Sequence, residues 1–197
     1  MDDKTALAEL IGARICHDLI SPLGAIGNGI ELLTMTGDDL SPEIALIAES
    51  ACHANARVRF FRIAFGPAAR GQSIDCDEIN DILTGMSRGA RLRTQWNQKG
   101  GLARCEARIV FLAILCLETA MPLGGVITVR PAETGWSLQV DGVMRPDEAA
   151  WAALRGAGAL TDISASQVQF ALIAAELARQ KRSARLDLQA SGAVLSL

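Results

Sequence analysis

A chain of 197 residues with 19 Lys+Arg, 22 Asp+Glu and half of its residues hydrophobic has the make-up of a folded globular protein, one domain or two small ones. Its longest uncharged apolar run, Ile109 to Leu117, has nine residues, against about 20 for a bilayer-spanning helix, and Met1-Asp2-Asp3-Lys4 is not the basic start of an export signal; the expectation is a cytoplasmic protein with no membrane contact. Residues 1–66 carry 5 bases and 9 acids, and residues 67–197 carry 14 bases and 13 acids, so no basic patch exists to attract nucleic acid.

The apolar residues of the first third repeat at helical spacing. Leu19, Leu23, Ile26, Ile30 and Leu33 step by 4, 3, 4 and 3 and stay on one narrow face of a helix expected from about Lys4 to Met35. Thr36-Gly37-Asp38-Asp39 supplies the stop, and Ser41-Pro42-Glu43 supplies a cap, a proline at the first helical position and an early acid. In the second helix Ile47, Ala51, Ala54, Val58, Phe61 and Phe65 repeat the heptad-like pattern until Gly66-Pro67. Two antiparallel helices cannot bury both stripes alone, so a four-helix bundle formed by a homodimer is expected.

The linker-like stretch from Gly66 to Gln72 marks a domain boundary, giving a hairpin over 1–66 and a second unit over 73–197. In that unit Ser73 reads as the cap of a helix through Met86, Arg91 to Asn97 as a strand, and Glu106 to Ala120 as a deeply buried helix. Strands at Val126–Arg130 and Trp136–Val140 form a hairpin, and Arg145-Pro146-Asp147 opens a short helix. A helix over Val168–Gln180 precedes strands at Arg185–Leu188 and Ala193–Leu197. The whole reads as α+β: a helical hairpin followed by an α/β sandwich with helices on one face of a mixed sheet. Five cysteines, Cys16, Cys52, Cys76, Cys105 and Cys116, form no CxxC pair and read as reduced core thiols.

Only two histidines occur, and His17 stands in the string Cys16-His17-Asp18-Leu19-Ile20-Ser21-Pro22-Leu23. On the wheel it falls about 160° from the centre of the first apolar stripe, so its imidazole should face solvent. Arg14, Ser21, Gly24 and Asn28 lie around it on the same face, and the small ones leave room for a partner to approach. Pro22 has no N–H to give the Asp18 carbonyl, which should bend the helix there. Imidazole attacks phosphorus through one nitrogen when an acceptor holds the N–H of the other, and Asp18 is the candidate acceptor. His53 has neither an adjacent acid nor a following proline and reads as a surface residue. Arg57, Arg59 and Arg62 read as a solvated helix face, and Cys116 as an inert buried thiol.

The string His17-Asp18-Leu19-x-x-Pro22-Leu23, in the first helix of a hairpin, resembles the phosphoacceptor box of two-component histidine kinases. With Gly24-Ala25-Ile26-Gly27-Asn28-Gly29-Ile30-Glu31-Leu32-Leu33 after it, the run is similar to the ChpT-type histidine phosphotransferases of alphaproteobacteria, kinase-like dimers without kinase activity. The resemblance covers the hairpin closely and the second unit in its order of elements. It implies that His17 is the phosphorylated residue, that receivers of a hybrid kinase and of response regulators are the partners, and that the magnesium belongs to the receiver.

A kinase would need an asparagine for magnesium on the helix Glu106–Ala120, yet no asparagine follows Asn97, and Glu118-Thr119 stands there. The adenine-contacting turn reads Val140-Asp141-Gly142-Val143-Met144, with Val143 where a glycine belongs. Before the last helix only Gly156-Ala157-Gly158 suggests a phosphate cradle, and it is a lone GxG. No cofactor of its own is therefore expected. Two other readings stay open at this point: an active kinase with an unusual nucleotide site, and a non-catalytic dimeric adaptor for receivers.

Overall fold

The computed structural model describes residues 3–36, 42–69, 71–155 and 164–197. Helices α1 (Asp3–Thr36) and α2 (Pro42–Ala64) form the hairpin. The expected stop at Gly37–Asp39, the cap at Ser41 and the Gly156-Ala157-Gly158 stretch lie outside the described residues. The second unit runs β1 (Ser73–Ile74), α3 (Cys76–Ser87), β2 (Leu92–Trp96), β3 (Leu102–Ala103), α4 (Arg104–Ala120), β4 (Gly125–Ala132), β5 (Gly135–Asp141), α5 (Glu148–Leu154), a 3-10 turn at Ala165–Gln167, α6 (Val168–Arg179), β6 (Arg185–Gln189) and β7 (Gly192–Ser196). Among the described residues no helix is long and apolar enough to cross a membrane.

The main sheet has the order β2-β4-β5-β7-β6, parallel between β2 and β4 and antiparallel elsewhere. Its register places Ile127 beside Val140 and Val129 beside Leu138, and Leu138 and Val140 in turn beside Leu195 and Ala193. All of these are buried, whereas Thr128 and Gln139 point to the other, wetter face. The period-2 alternation thus leaves one face for the helices to cover, as in an α+β layer. α4 enters the core with an unbroken buried run from Ile109 to Leu117.

Ser73 is not a helix cap. It pairs with Ala103 in a two-stranded ladder, and Asp75 takes the N-cap position of α3. The short helix expected after Arg145-Pro146-Asp147 is α5, and Asp147 caps it through its carboxylate, which accepts from the Ala150 N–H.

The hairpin and the second unit share one core. Phe60, Phe61, Ile63 and Ala64 at the end of α2 belong to the same buried cluster as α4, and the Phe60 and Phe111 rings lie 4.6 Å apart. Arg104, the first residue of α4, donates from Nη2 to the Arg62 carbonyl at 3.0 Å and from Nε to Pro67 at 3.1 Å, tying down the connection.

On α1 the buried face carries Arg14, Asp18, Pro22 and Gly29, and on α2 it carries Ser50, Arg57, Phe60 and Ala64. Both faces are rotated about 100° from the heptad-like stripes. The stripes are left partly uncovered, with Leu23, Ile30 and Val58 each at least half exposed. α1 continues through Pro22, whose ring is buried.

Candidate functional site

His17 sits mid-way along α1 with its side chain 84% exposed, and Asp18 beside it is only 8% exposed. Successive helical positions point about 100° apart, so one residue faces solvent while the next faces α2 and the second unit. The two side chains nevertheless meet, with Nδ1 of His17 3.0 Å from Oδ1 of Asp18. Oδ2 of Asp18 accepts from Nε of Arg14 at 3.0 Å and from Nη2 of Arg57 at 2.7 Å. One oxygen therefore serves the histidine and the other serves two guanidinium groups.

Burial pushes the Asp18 carboxyl up, but the His17 hydrogen bond and the Arg57 and Arg14 charges outweigh it and hold the group below its ordinary value of 3.8. The ionised carboxylate has no proton to donate. The shared hydrogen must then sit on Nδ1 of His17, which leaves the Nε2 lone pair on the outward side of the ring. The arrangement presents a single tautomer of an exposed imidazole.

Arg57 carries more of the site than the sequence suggested. Rather than forming a solvated face with Arg59 and Arg62, it is 8% exposed and its guanidinium carbon lies 5.1 Å from the Phe61 ring centroid. Its Nη1 donates to Oε1 of Glu118 at 3.1 Å and its Nη2 to Oε2 at 3.3 Å, while Nη2 also reaches Asp18. Burial pushes the Arg57 guanidinium down, and the Glu118 and Asp18 carboxylates more than reverse this. The available signal was its place on the wheel, about 40° from Phe61 of the apolar stripe.

Arg14 also departs from expectation. Three positions before His17 means about 60° around the helix, toward the interior, and it is buried at 8% exposure. It binds Asp18 and reaches toward the Ser166 carbonyl at 3.5 Å, so it braces the site from inside rather than offering a docking contact. Ser21, Gly24 and Asn28 are exposed beside His17, and a Cβ added at Gly24 meets nothing within 4 Å.

A groove of about 570 Å³ opens between the hairpin and the second unit, with His17, Asp18, Ser21 and Arg57 on one side and Met86, Arg88 and Gly89 on the other. His53 lines the same groove. Cys16 and Cys52 are exposed, unlike the core thiols expected, because both fall on hairpin faces that this chain leaves uncovered. Cys116 is fully enclosed, and burial pushes its thiol well above 9.0 despite the Arg14 charge, so it is unreactive. At the end of α4, Thr119 turns its hydroxyl back to the Cys116 carbonyl at 2.7 Å and Glu118 turns to Arg57.

Residues 76–193 match the family described as histidine phosphotransferase C-terminal domain. The protein phosphotransferase ChpT of Brucella abortus (strain 2308) is 39% identical over 126 residues, which are 63% of this chain and 60% of that protein. The solved structure of a bacterial phosphotransferase superposes with a TM-score of 0.79 at 29% identity, covering 99% of this chain and 97% of the other.

Proposed function

Since this chain belongs to the histidine phosphotransferase family, we propose that it is a phosphorelay intermediate, carrying phosphoryl groups between receiver domains with His17 as the residue that holds them. The observation that carries this reading is the exposed His17 ring whose Nδ1 is fixed by the buried, ionised Asp18.

Nε2 of His17 attacks the phosphorus of a receiver phospho-aspartate in line. The N–P bond forms as the P–O bond breaks, and the electron pair leaves on the receiver's carboxylate. The Nδ1 proton stays on the ring against Asp18, which stabilises the positive charge that develops there. Transfer to a second receiver reverses the same bonds. A magnesium ion held by the receiver would neutralise the phosphoryl oxygens, and this chain supplies alignment and a nucleophile of fixed tautomer.

The receiver docks over the exposed Ser21, Gly24 and Asn28, of which Ser21 lines the groove with His17, and these small and polar side chains let its phosphorylated loop reach the ring. A second copy of the chain covers the Leu23, Ile30 and Val58 stripes and completes a four-helix bundle, because a lone hairpin leaves that apolar area in water. The decisive experiment is transfer of acid-labile label from a phosphorylated hybrid-kinase receiver to wild type and to His17→Gln. Label on wild type alone, chased onto a response regulator, is the expected result. Equal labelling of the variant refutes the assignment of His17.

A further inference from the structure

Asp18 is held by two cations, and both are anchored outside the hairpin. Arg14 reaches toward the backbone of the 3-10 turn before α6, and Arg57 is gripped by Glu118, 61 residues away on α4. The position of Glu118 is costly by itself. It lies in the last turn of a helix with no basic residue there, where the helix dipole disfavours an acid, and the turns before it are buried. Such groups are weak stability devices compared with apolar side chains of the same size, but they fix geometry.

The geometry here is specific to a guanidinium. The two Glu118 oxygens take one N–H from each terminal nitrogen of Arg57, which sets the plane of the group, and the remaining N–H of Nη2 then points at Oδ2 of Asp18 at 2.7 Å. With Oδ2 pinned, Oδ1 is turned to Nδ1 of His17. A lysine cannot reproduce this, since its ammonium is a point charge with no plane.

We propose that Glu118 is a positioning residue for phosphotransfer: acting from the second unit through Arg57 and Asp18, it sets the tautomer and orientation of His17. The residue that stands where a kinase would bind magnesium thereby serves the nucleophile on the hairpin, and His17 is fully competent only while the two units are docked. The inference rests on the relay reading for its consequence in phosphotransfer, but not for its geometry.

The test uses the full chain and two readouts. Nitrogen NMR of the His17 ring reports the tautomer, and phosphoramidate, a small donor that needs no docking surface, reports the rate at which His17 is phosphorylated. Wild type is expected to show the Nδ1–H form alone. Glu118→Gln and Arg57→Lys are expected to show mixed tautomers and about a tenfold slower labelling, the lower end of what partners of a directly acting group contribute. Asp18→Asn should be equally slow, and adding Glu118→Gln to it should slow labelling no further, because Glu118 acts only through Asp18. A Glu118→Gln variant that is folded by circular dichroism yet keeps the single tautomer and the wild-type rate overturns the proposal. So does a Glu118→Gln effect that persists undiminished in the Asp18→Asn background. Should Glu118→Gln fail to fold, Arg57→Lys retains the charge and decides the matter by the same readouts. If phosphorylated receivers fail to label wild type while the tautomer pattern holds, the relay falls and the positioning stands.

Discussion

Replacing Arg57 by Met separates the buried ion network from its surface neighbours on the same helix. Met keeps the apolar stem against Phe61 and removes the charge that faces Asp18 and Glu118. Breaking a fully buried pair costs about 3–5 kcal/mol, because the remaining charge is stranded. Two features reduce that figure here: Arg14 still neutralises Asp18, and the Glu118 side chain, 29% exposed, can take up water. Loss of the contact over the Phe61 ring adds at most about 1 kcal/mol. The expected destabilisation is about 2–3 kcal/mol, or a Tm lower by about 4–12 °C for a chain of this size. Arg62→Met is the internal control, since Arg62 is 65% exposed and only 3.5 Å from Glu78; a surface pair of that kind is worth under about 1 kcal/mol. Urea and thermal unfolding at one protein concentration measure both variants. An Arg57→Met loss below about 1 kcal/mol, or an equal loss for Arg62→Met, refutes the idea that the Asp18–Arg57–Glu118 network is held in a water-poor site.

Gly24→Tyr is expected to leave the fold intact and raise helix stability by a few tenths of a kcal/mol, since an added Cβ meets nothing, while blocking transfer from a phosphorylated receiver; phosphoramidate labelling of His17 checks that the nucleophile itself is unharmed. Asp18 is held below 3.8, so its contribution to stability is fully present above that unfolded value and disappears as pH falls through the lower folded one. Asp18→Asn should therefore show a shallower acid limb than wild type in urea unfolding followed below pH 4, and parallel limbs would contradict the assignment. Leu23→Glu and Val58→Glu, at positions 57% and 50% exposed, are expected to turn the proposed dimer into monomer by analytical ultracentrifugation with the monomer still folded. Wild-type monomer at micromolar concentration would remove the reason for placing a second copy on these stripes.

The sequence by itself determined most of the elements and singled out His17 as the candidate nucleophile. Periodicity, Ser-Pro and Gly-Pro punctuation and alternation are properties of neighbouring residues, so both long helices, α4, the β4–β5 hairpin and the β6–β7 pair were legible to within a few residues. So was the exposure of His17 in its helical string, because the wheel sets it far from the apolar stripe; the burial of Asp18 was not, since it lies on a face turned about 100° from that stripe. The two-residue strands β1 and β3 were not legible, since the pairing of Ser73 with Ala103 joins segments that carry no local signal. Tertiary structure alone decided what surrounds Asp18. Arg57 reads as one of three similar arginines until α4 packs on α2 and sets Glu118 against it, and Arg14 reads as a surface base until α1 lies on the 3-10 turn. The heptad stripes were legible as faces that two helices alone cannot bury, and the chain leaves them partly uncovered; the faces it buries instead, turned about 100° away, were not legible. Which helix face is covered, and which cation a buried carboxylate meets, depend on how distant elements pack. No local pattern encodes that choice.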